Sequence, residues 1–428
     1  MVWRKQSSAL RSRPCARSPT EPCALSISTG SRLSMSLVSA SVTRRDRIGL
    51  YSFAYTKPTS RYLEDDVQIN FKALAVAVAF ATNSAWAAIP PGYPTDYQAT
   101  VDGAKKEGKL IVYSVTDTAL VRPLIKDFES LYGVKVEYND MNTTELYNRY
   151  ISENAASSVS ADVLWSSAMD LQIKLVNDGL MTTYESPEAK QLPQWAQYQK
   201  QAYGTTYEPL AIVYNKRLMP AGEVPQTRAD LIKLLQAKPD RFKGRVTTYD
   251  IEKSGVGFNY LTQDVRVNPQ VTWDLVKAMG ATGPKLQSST GAMMERISSG
   301  ENLIGYNILG SYAVIKAKKD PSIGYVYPKD YTLVASRLVT ISKKAQSPNA
   351  AKLWVDYLLS RRGQTLLANQ AGLFSIRADV EGETSMAALT KQLGNSLKPV
   401  PIGAELLVYL DQSKRLEFLK QWQQSIRR

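Results

Sequence analysis

The sequence predicts an α/β protein of two lobes, each an open sheet flanked by helices. Three observations predict it. Short all-apolar runs alternate with amphipathic helical stripes, the pattern of strands buried on both faces. The stretch beyond residue 88 is long enough for two lobes of roughly 150 to 190 residues. A second strand-and-helix series begins afresh near Tyr207.

The elements follow in order. Leu110-Ile111-Val112-Tyr113 is a short apolar run and predicts a buried parallel strand. The loop Ser114–Thr118 leads to a helix with Leu120, Leu124, Phe128 and Leu131 on one face. Pro123 belongs in its first turn, because an interior proline breaks the hydrogen-bond ladder. Gly133 ends it. Val134, Val136 and Tyr138 alternate with Lys135 and Glu137, which predicts a strand. A helix spans Glu145–Ser152. Ala161–Trp165 is the next strand, and Ser166-Ser167 opens a helix that stops at Gly179. Leu210–Tyr214 starts the second series, with Thr227 capping a helix over Ala229–Leu235. Leu353, Trp354 and Leu358 form a helix core face. Leu416, Leu419, Trp422 and Ile426 form another stripe, on a basic helix from Arg415; packing against the body is favoured over a membrane-surface role. In open α/β sheets ligands bind beyond the carboxyl ends of the strands. The loops Ser114–Thr118, Asn142–Thr144 and Ser166-Ser167 occupy that edge.

Upstream, Asn70–Pro94 reads as an export signal. One cation (Lys72) precedes a short apolar run, Ala73–Ala81, too short to span a bilayer. Ala85 and Ala87 fit cleavage after Ala87. Residues 1–69 show no sustained period and are rich in Ser and Arg, so they are expected to be a non-native or disordered leader. No Met lies between Met35 and Met141, so a start near Val67 would use another codon. A twin-arginine signal at Thr43-Arg44-Arg45-Asp46 is the weaker rival, because its apolar run is distant.

Composition then excludes whole classes of chemistry. The 428-residue chain has no His, and both cysteines, Cys15 and Cys23, lie upstream of the cleavage site. The remaining chain therefore has no Ser-His-Asp triad, no thiol nucleophile and no imidazole or thiolate zinc site. Carboxylate catalysis and hard-metal sites stay open. Half of the formal charge of +14 falls upstream of Ala88, and the rest is spread without aromatic interleaving. No nucleic-acid partner is expected. No cofactor is expected either.

Five segments together resemble bacterial extracellular solute-binding proteins of ABC importers. They are KLIVYSVTDTALVRPLIKDFESLYGVKVEY, ADVLWSSAMDLQIKLVNDGLM, EPLAIVYNKRLMP, ISSGENLIGYNILGSY and SPNAAKLWVDYLLSRRGQTLLANQAGLFSIRADV. The nearest group is the ferric-ion-binding proteins with their phosphonate- and sugar-phosphate-binding relatives. The resemblance implies the two-lobed periplasmic-binding-protein fold of type II, with hinge strands between the lobes. Lobe one would hold about 92–206 and 328–385, and lobe two about 207–327 and 386–428. It also implies a periplasmic monomer that serves an inner-membrane permease.

Ferric-binding members carry a His after the first strand, a Glu after the ADV motif and a Tyr-Tyr pair in the second lobe. Those positions match Asp117, Ser167 and Ser311-Tyr312 here, so only Tyr312 is retained. Fe(III) wants anionic oxygens, and two serines replace them poorly. Asp117 and Tyr312 remain the metal candidates if iron is bound. An oxyanion site is favoured instead. Several Ser/Thr/Gly loops lead into helices from the predicted edge: Ser114, Thr116 and Asp117; Ser166 and Ser167; Ser254 and Gly255; Ser289 and Thr290; Ser311. Helix N-termini offer free N–H groups and partial positive charge to phosphate, phosphonate or carboxylate. The plain alternative at each is an ordinary N-cap. Asp117 would repel an anion, and serves either an amine on a zwitterion or its own helix. Glu208, at the presumed crossover, lines the hinge or a solvated turn. Trp165 is expected in the core in preference to stacking on a ligand.

The expected function is capture of a small anionic or zwitterionic solute by lobe closure, without enzyme activity. Ferric iron or an iron chelate is the alternative cargo. A secreted enzyme with paired carboxylates, or a ligand sensor for a receptor, are alternatives of another class.

Overall fold

The computed structural model describes residue 89 and residues 92–158 and 160–427. The segments 1–69 and 70–87 expected as leader and signal lie outside the described residues, as do both cysteines. Everything below belongs to one compact unit, Ala77–Arg428.

Two sheets organise the chain. The first runs β2 (Lys135–Asp140), β1 (Lys109–Ser114), β3 (Val163–Ser166), β12 (Leu338–Ile341), β5 (Ala202–Gly204), β4 (Gln197–Tyr198). β2, β1 and β3 are parallel, with Leu110 opposite Val136 and Val112 opposite Val163. β12 is antiparallel to both β3 and β5. The second sheet runs β13 (Leu397–Pro399), β11 (Thr332–Ala335), β6 (Glu208–Asn215), β9 (Ile304–Leu309), β7 (Val246–Tyr249), β8 (Lys285–Gln287), and β10 (Ile323–Val326) also pairs with β6.

Local sequence explains the elements around the first sheet. β1 is buried at every position except Lys109, as a strand covered on both faces must be. α1 (Tyr97–Glu107) packs beside the later helix α10 (Pro348–Leu359). α2 (Thr118–Tyr132) buries Val121, Leu124 and Phe128, and Phe128 meets the Trp354 ring edge-on at 4.9 Å. Gly133 then turns left-handed at φ 68° and returns its N–H to Glu129. Pro123, expected near the first turn, is inside the helix, since α2 begins at Thr118. Two further helices follow, α3 (Thr143–Ala155) and α4 (Met169–Asn177).

In the second half, α5 (Arg228–Ala237) opens with a reciprocal box between Thr227 and Asp230. α6 (Gly255–Val267), α7 (Pro269–Ala281), α8 (Thr290–Ser298) and α9 (Gly310–Lys319) flank the second sheet. The last helix, α11 (Gln412–Ile426), buries Phe418, Trp422 and Ile426. Leu416, expected in that stripe, is 69% exposed, because Phe418 takes the inward position beside Trp273 and Phe258.

The chain passes between the sheets three times, once in the stretch between β12 and β13 and twice through short linkers. Residues 205–207 join β5 to β6, and residues 336–337 join β11 to β12. They run side by side: the Thr205 N–H donates to the Arg337 carbonyl, and the Arg337 N–H donates to Thr206 Oγ1, both at 2.9 Å. The second passage was expected at 328. It falls at 336–337 because β11 pairs with β6 and β13 and so stays in the second sheet.

Candidate functional site

The carboxyl ends of β1, β2 and β3 face those of β7, β8 and β9 across a cavity of about 300 Å3. From the first sheet come Asp117 after β1, Asp140 at the end of β2 with Met141 to Thr143 after it, and Ser167 after β3. From the second come Tyr249 at the end of β7, the run Ser288–Gly291 after β8, and Leu309 and Tyr312 around the end of β9.

Helix N-termini ring this space. Asn142 caps α3 by accepting from the Glu145 N–H at 2.9 Å, and Ser289 caps α8 by accepting from the Ala292 N–H at 3.2 Å. Each cap leaves first-turn N–H groups free, with their share of the helix dipole. α8 directs Thr290 and Gly291 to the cavity wall.

Arg337 lies at the base. It is 1% exposed, yet it is among the residues that line the cavity. Nε donates to Glu208 Oε1 at 2.7 Å, and Nη1 donates to Thr116 Oγ1 at 2.9 Å. Nη2 has no partner among the described residues. Burial opposes its charge most strongly, but Glu208 and the neighbouring Tyr312 and Tyr260 together outweigh burial and keep the group protonated. An orphaned, charged donor at the bottom of a polar cavity is costly without a ligand, and invites an oxyanion.

Tyr312 stands over this group, with its ring centroid 5.9 Å from the guanidinium carbon. Burial pushes its phenol up to about 12, against the pull of Arg337, so it is a neutral donor at ordinary pH. Burial likewise raises Tyr249, whose hydroxyl bonds Thr290 Oγ1. At the mouth, Asp140 accepts from the Thr118 hydroxyl at 2.6 Å and the Thr118 N–H at 2.8 Å, which holds its carboxyl below the usual range. Asp117 is exposed and makes no capping bond to α2.

Of the residues expected at the site, Asp117, Ser167, Ser289, Thr290 and Tyr312 line the cavity. The other seven do not, and each has a structural reason. Ser114 Oγ donates to the Trp165 carbonyl, Ser166 Oγ accepts from the Ala168 N–H, and Ser254 caps α6. Thr116 and Glu208 grip Arg337 from beneath, and the Ser311 hydroxyl donates to Glu208. Gly255 is where α6 approaches Thr143 and Leu171 of the other half. Trp165 is fully buried and donates to Thr205 Oγ1 at 2.8 Å, so it is a core residue. Sequence reasoning missed Arg337, Asp140 and Tyr249. Arg337 had a readable signal: it is the one charge in the apolar run Thr332–Ile341.

A larger depression of about 470 Å3 lies in the first half, near Tyr93, Tyr97 and Arg362. Its buried charges are already matched. Asp356 accepts from Tyr97, Tyr184 and Ser186, and Arg377 bonds Glu188 and Asp379. It offers no counterpart to the free Nη2 of Arg337. Among the described residues no group of three or more His, Cys, Asp or Glu is placed to hold a metal ion.

Comparison with known proteins bears on this arrangement. The profile described as bacterial extracellular solute-binding protein matches residues 123–391. The crystal structure of the substrate-binding protein of an ABC transporter from Agrobacterium tumefaciens is 38% identical, with TM-score 0.72 over 77% of this chain and 97% of that one. The periplasmic binding protein AfuA from Actinobacillus pleuropneumoniae, with fructose-6-phosphate bound, is 20% identical, with TM-score 0.63 over 74% and 98%. The apo ferric ion-binding protein A of Pasteurella haemolytica is 19% identical, with TM-score 0.59 over 73% and 98%. The last two likenesses speak to the fold alone.

Proposed function

The chain belongs to the bacterial extracellular solute-binding proteins, the substrate-binding components of ABC transporters, and from that premise we propose that it captures a small anionic or zwitterionic solute between its two lobes. Members of this family work in the periplasm and deliver solutes to a membrane permease rather than transform them. Within the proposal the chain acts as a monomer, matures by cleavage after Ala87, and closes on its ligand about residues 205–207 and 336–337.

The observation that carries the reading is the unpartnered Nη2 of Arg337 at the base of the interlobe cavity. Phosphonates, sugar phosphates and carboxylates all present the oxygen pair that this donor, Tyr312 and the N-terminus of α8 would seat. Fe(III) is the less favoured cargo. The Tyr312 phenol is held protonated, and Ser167 and Ser311 offer neutral hydroxyls where the resemblance places a carboxylate and a phenolate in iron binders.

The test is a thermal-shift panel of phosphonates, sugar phosphates, carboxylates, polyols and Fe(III) with and without citrate. Oxyanion compounds should raise Tm, by about 2.7 kcal/mol of stabilisation at a hundredfold excess over Kd. Arg337→Lys keeps the charge but loses the fork, and should weaken binding by about tenfold or more. Binding of neutral polyols that ignores Arg337→Lys would overturn the reading. A visible charge-transfer band with Fe(III) would restore iron.

A further inference from the structure

The two ends of the cavity differ in sign. Arg337 is the cation at the base, and Glu208 already neutralises part of its field. The cavity lining contains no other Lys or Arg. At the mouth stand two exposed carboxylates, Asp117 and Asp140. Each has the means to act on a ligand. Asp117 leaves its helix uncapped, so its carboxylate is not spent on α2. Asp140 is held ionised by two bonds from Thr118, the residue next to Asp117 in the chain.

This balance is wrong for a ligand that carries only negative charge. Such a molecule would pass two carboxylates at the mouth and find below one partly neutralised guanidinium and the partial charges of the helix N-termini. The carboxylates alone would not mark a site. The buried, unpartnered Nη2 belongs to Arg337, a residue that lines the same cavity, and supplies the independent sign that something charged binds there.

We propose that the solute is a small zwitterion, its oxyanion seated on Arg337 at the base and its protonated amine facing Asp117 and Asp140 at the mouth. The proposal rests on the reading of this cavity as the solute site. It narrows the ligand to short aminoalkylphosphonates or ω-amino acids. A cavity of about 300 Å3 suits such a molecule better than a bulky chelate. The charge order also sets the direction of binding. The anion goes in first, because the mouth repels it and the base attracts it, while the amine stops at the mouth.

The experiment is isothermal titration of the full chain with matched sets. Each set holds an aminoalkylphosphonate or ω-amino acid with two to four carbons between its charges, the same molecule without its amine, and the amine without its acid. The zwitterion should bind at least about tenfold tighter than its amine-free analogue, because like charge at the mouth disfavours the latter. Asp117→Asn, at an exposed position, should weaken the zwitterion and strengthen the amine-free anion, closing most of that gap. Arg337→Lys should weaken both anion-bearing members together. An amine-free analogue that binds as tightly as the zwitterion, or a gap that Asp117→Asn leaves intact, would sink the zwitterion proposal and leave the oxyanion site standing. Anion binding indifferent to Arg337→Lys would sink the site reading itself. Silence from every set would overturn the proposal for zwitterions of this size.

Discussion

Buried ionised groups survive in this protein where a partner or a ligand answers them. Arg337 is answered twice, by Glu208 and Thr116, and left without a partner once, at Nη2, among the described residues. Arg228 is answered throughout, by Asp264, Tyr306 and the Tyr331 carbonyl, and so it is structural. Asp170, the second residue of α4, is the contrasting case. Its side chain accepts from the neighbouring Leu171 N–H at 2.9 Å, and burial pushes its carboxyl up to about 7. The folded state therefore keeps a proton that the unfolded chain releases near pH 4. The sign follows from linkage. Stability from this group is full below its ordinary range and is lost as pH rises toward about 7. Asp170→Asn should remove that slope. Urea denaturation at pH 4 and pH 8 should show the variant gaining on the parent by a few kcal/mol, roughly, at the higher pH. An unchanged difference between the two pH values would show that Asp170 is ionised in the fold.

At the scale of elements, close backbone approach decides where helices can lie. A Cβ on Gly280 would stand 2.1 Å from the Ser425 carbonyl oxygen, so α7 and α11 meet there through a glycine. Gly280→Ala should push α11 outward and cost about 1–3 kcal/mol, as overpacking does. Amide exchange in α11 should quicken more than exchange in the first sheet; equal protection would refute the contact's role. Much of this level was legible in the sequence. The apolar run of β1, the Gly133 stop and the Thr227 cap each follow from one local rule, and each holds in the fold. Phe418 displaced Leu416 because a helix stripe fixes a face only to within a residue or so, and neighbouring rings chose between them. The site was legible only in part. Ser/Thr loops mark helix starts, but the same residues cap helices and line cavities. Only the tertiary placement separates Ser289, at the wall, from Ser254, beneath it. Arg337 escaped because its role depends on Glu208, far away in sequence but adjacent across paired linkers.

For the whole molecule, the antiparallel linkers at 205–207 and 336–337 make a narrow bridge between two sheets, the chain crosses once more between β12 and β13, and a separate contact joins the halves at the cavity. There the Val256 N–H donates to Thr143 Oγ1 at 3.3 Å, and the Thr144 hydroxyl donates to the Lys253 carbonyl at 3.2 Å. These bonds are few and partly exposed, so they stabilise closure only weakly by themselves. In the proposed mechanism, a ligand that touches both halves adds the remaining free energy, and binding thereby selects the closed form. Gly255 is the place to test this. A Cβ there would meet Leu171 Cδ1 at 3.1 Å and Thr143 Oγ1 at 3.2 Å, both across the interface. Gly255→Val should prop the halves apart while leaving each core intact. Solute affinity should fall by about tenfold, as the competent closed form becomes rarer. The ligand-free melting temperature should move little. Small-angle scattering should show the parent contracting when solute is added, and the variant contracting only at higher solute concentration. A parent that keeps the same radius of gyration with and without solute would mean that the halves do not move, and Gly255→Val would then lower affinity only by distorting the wall.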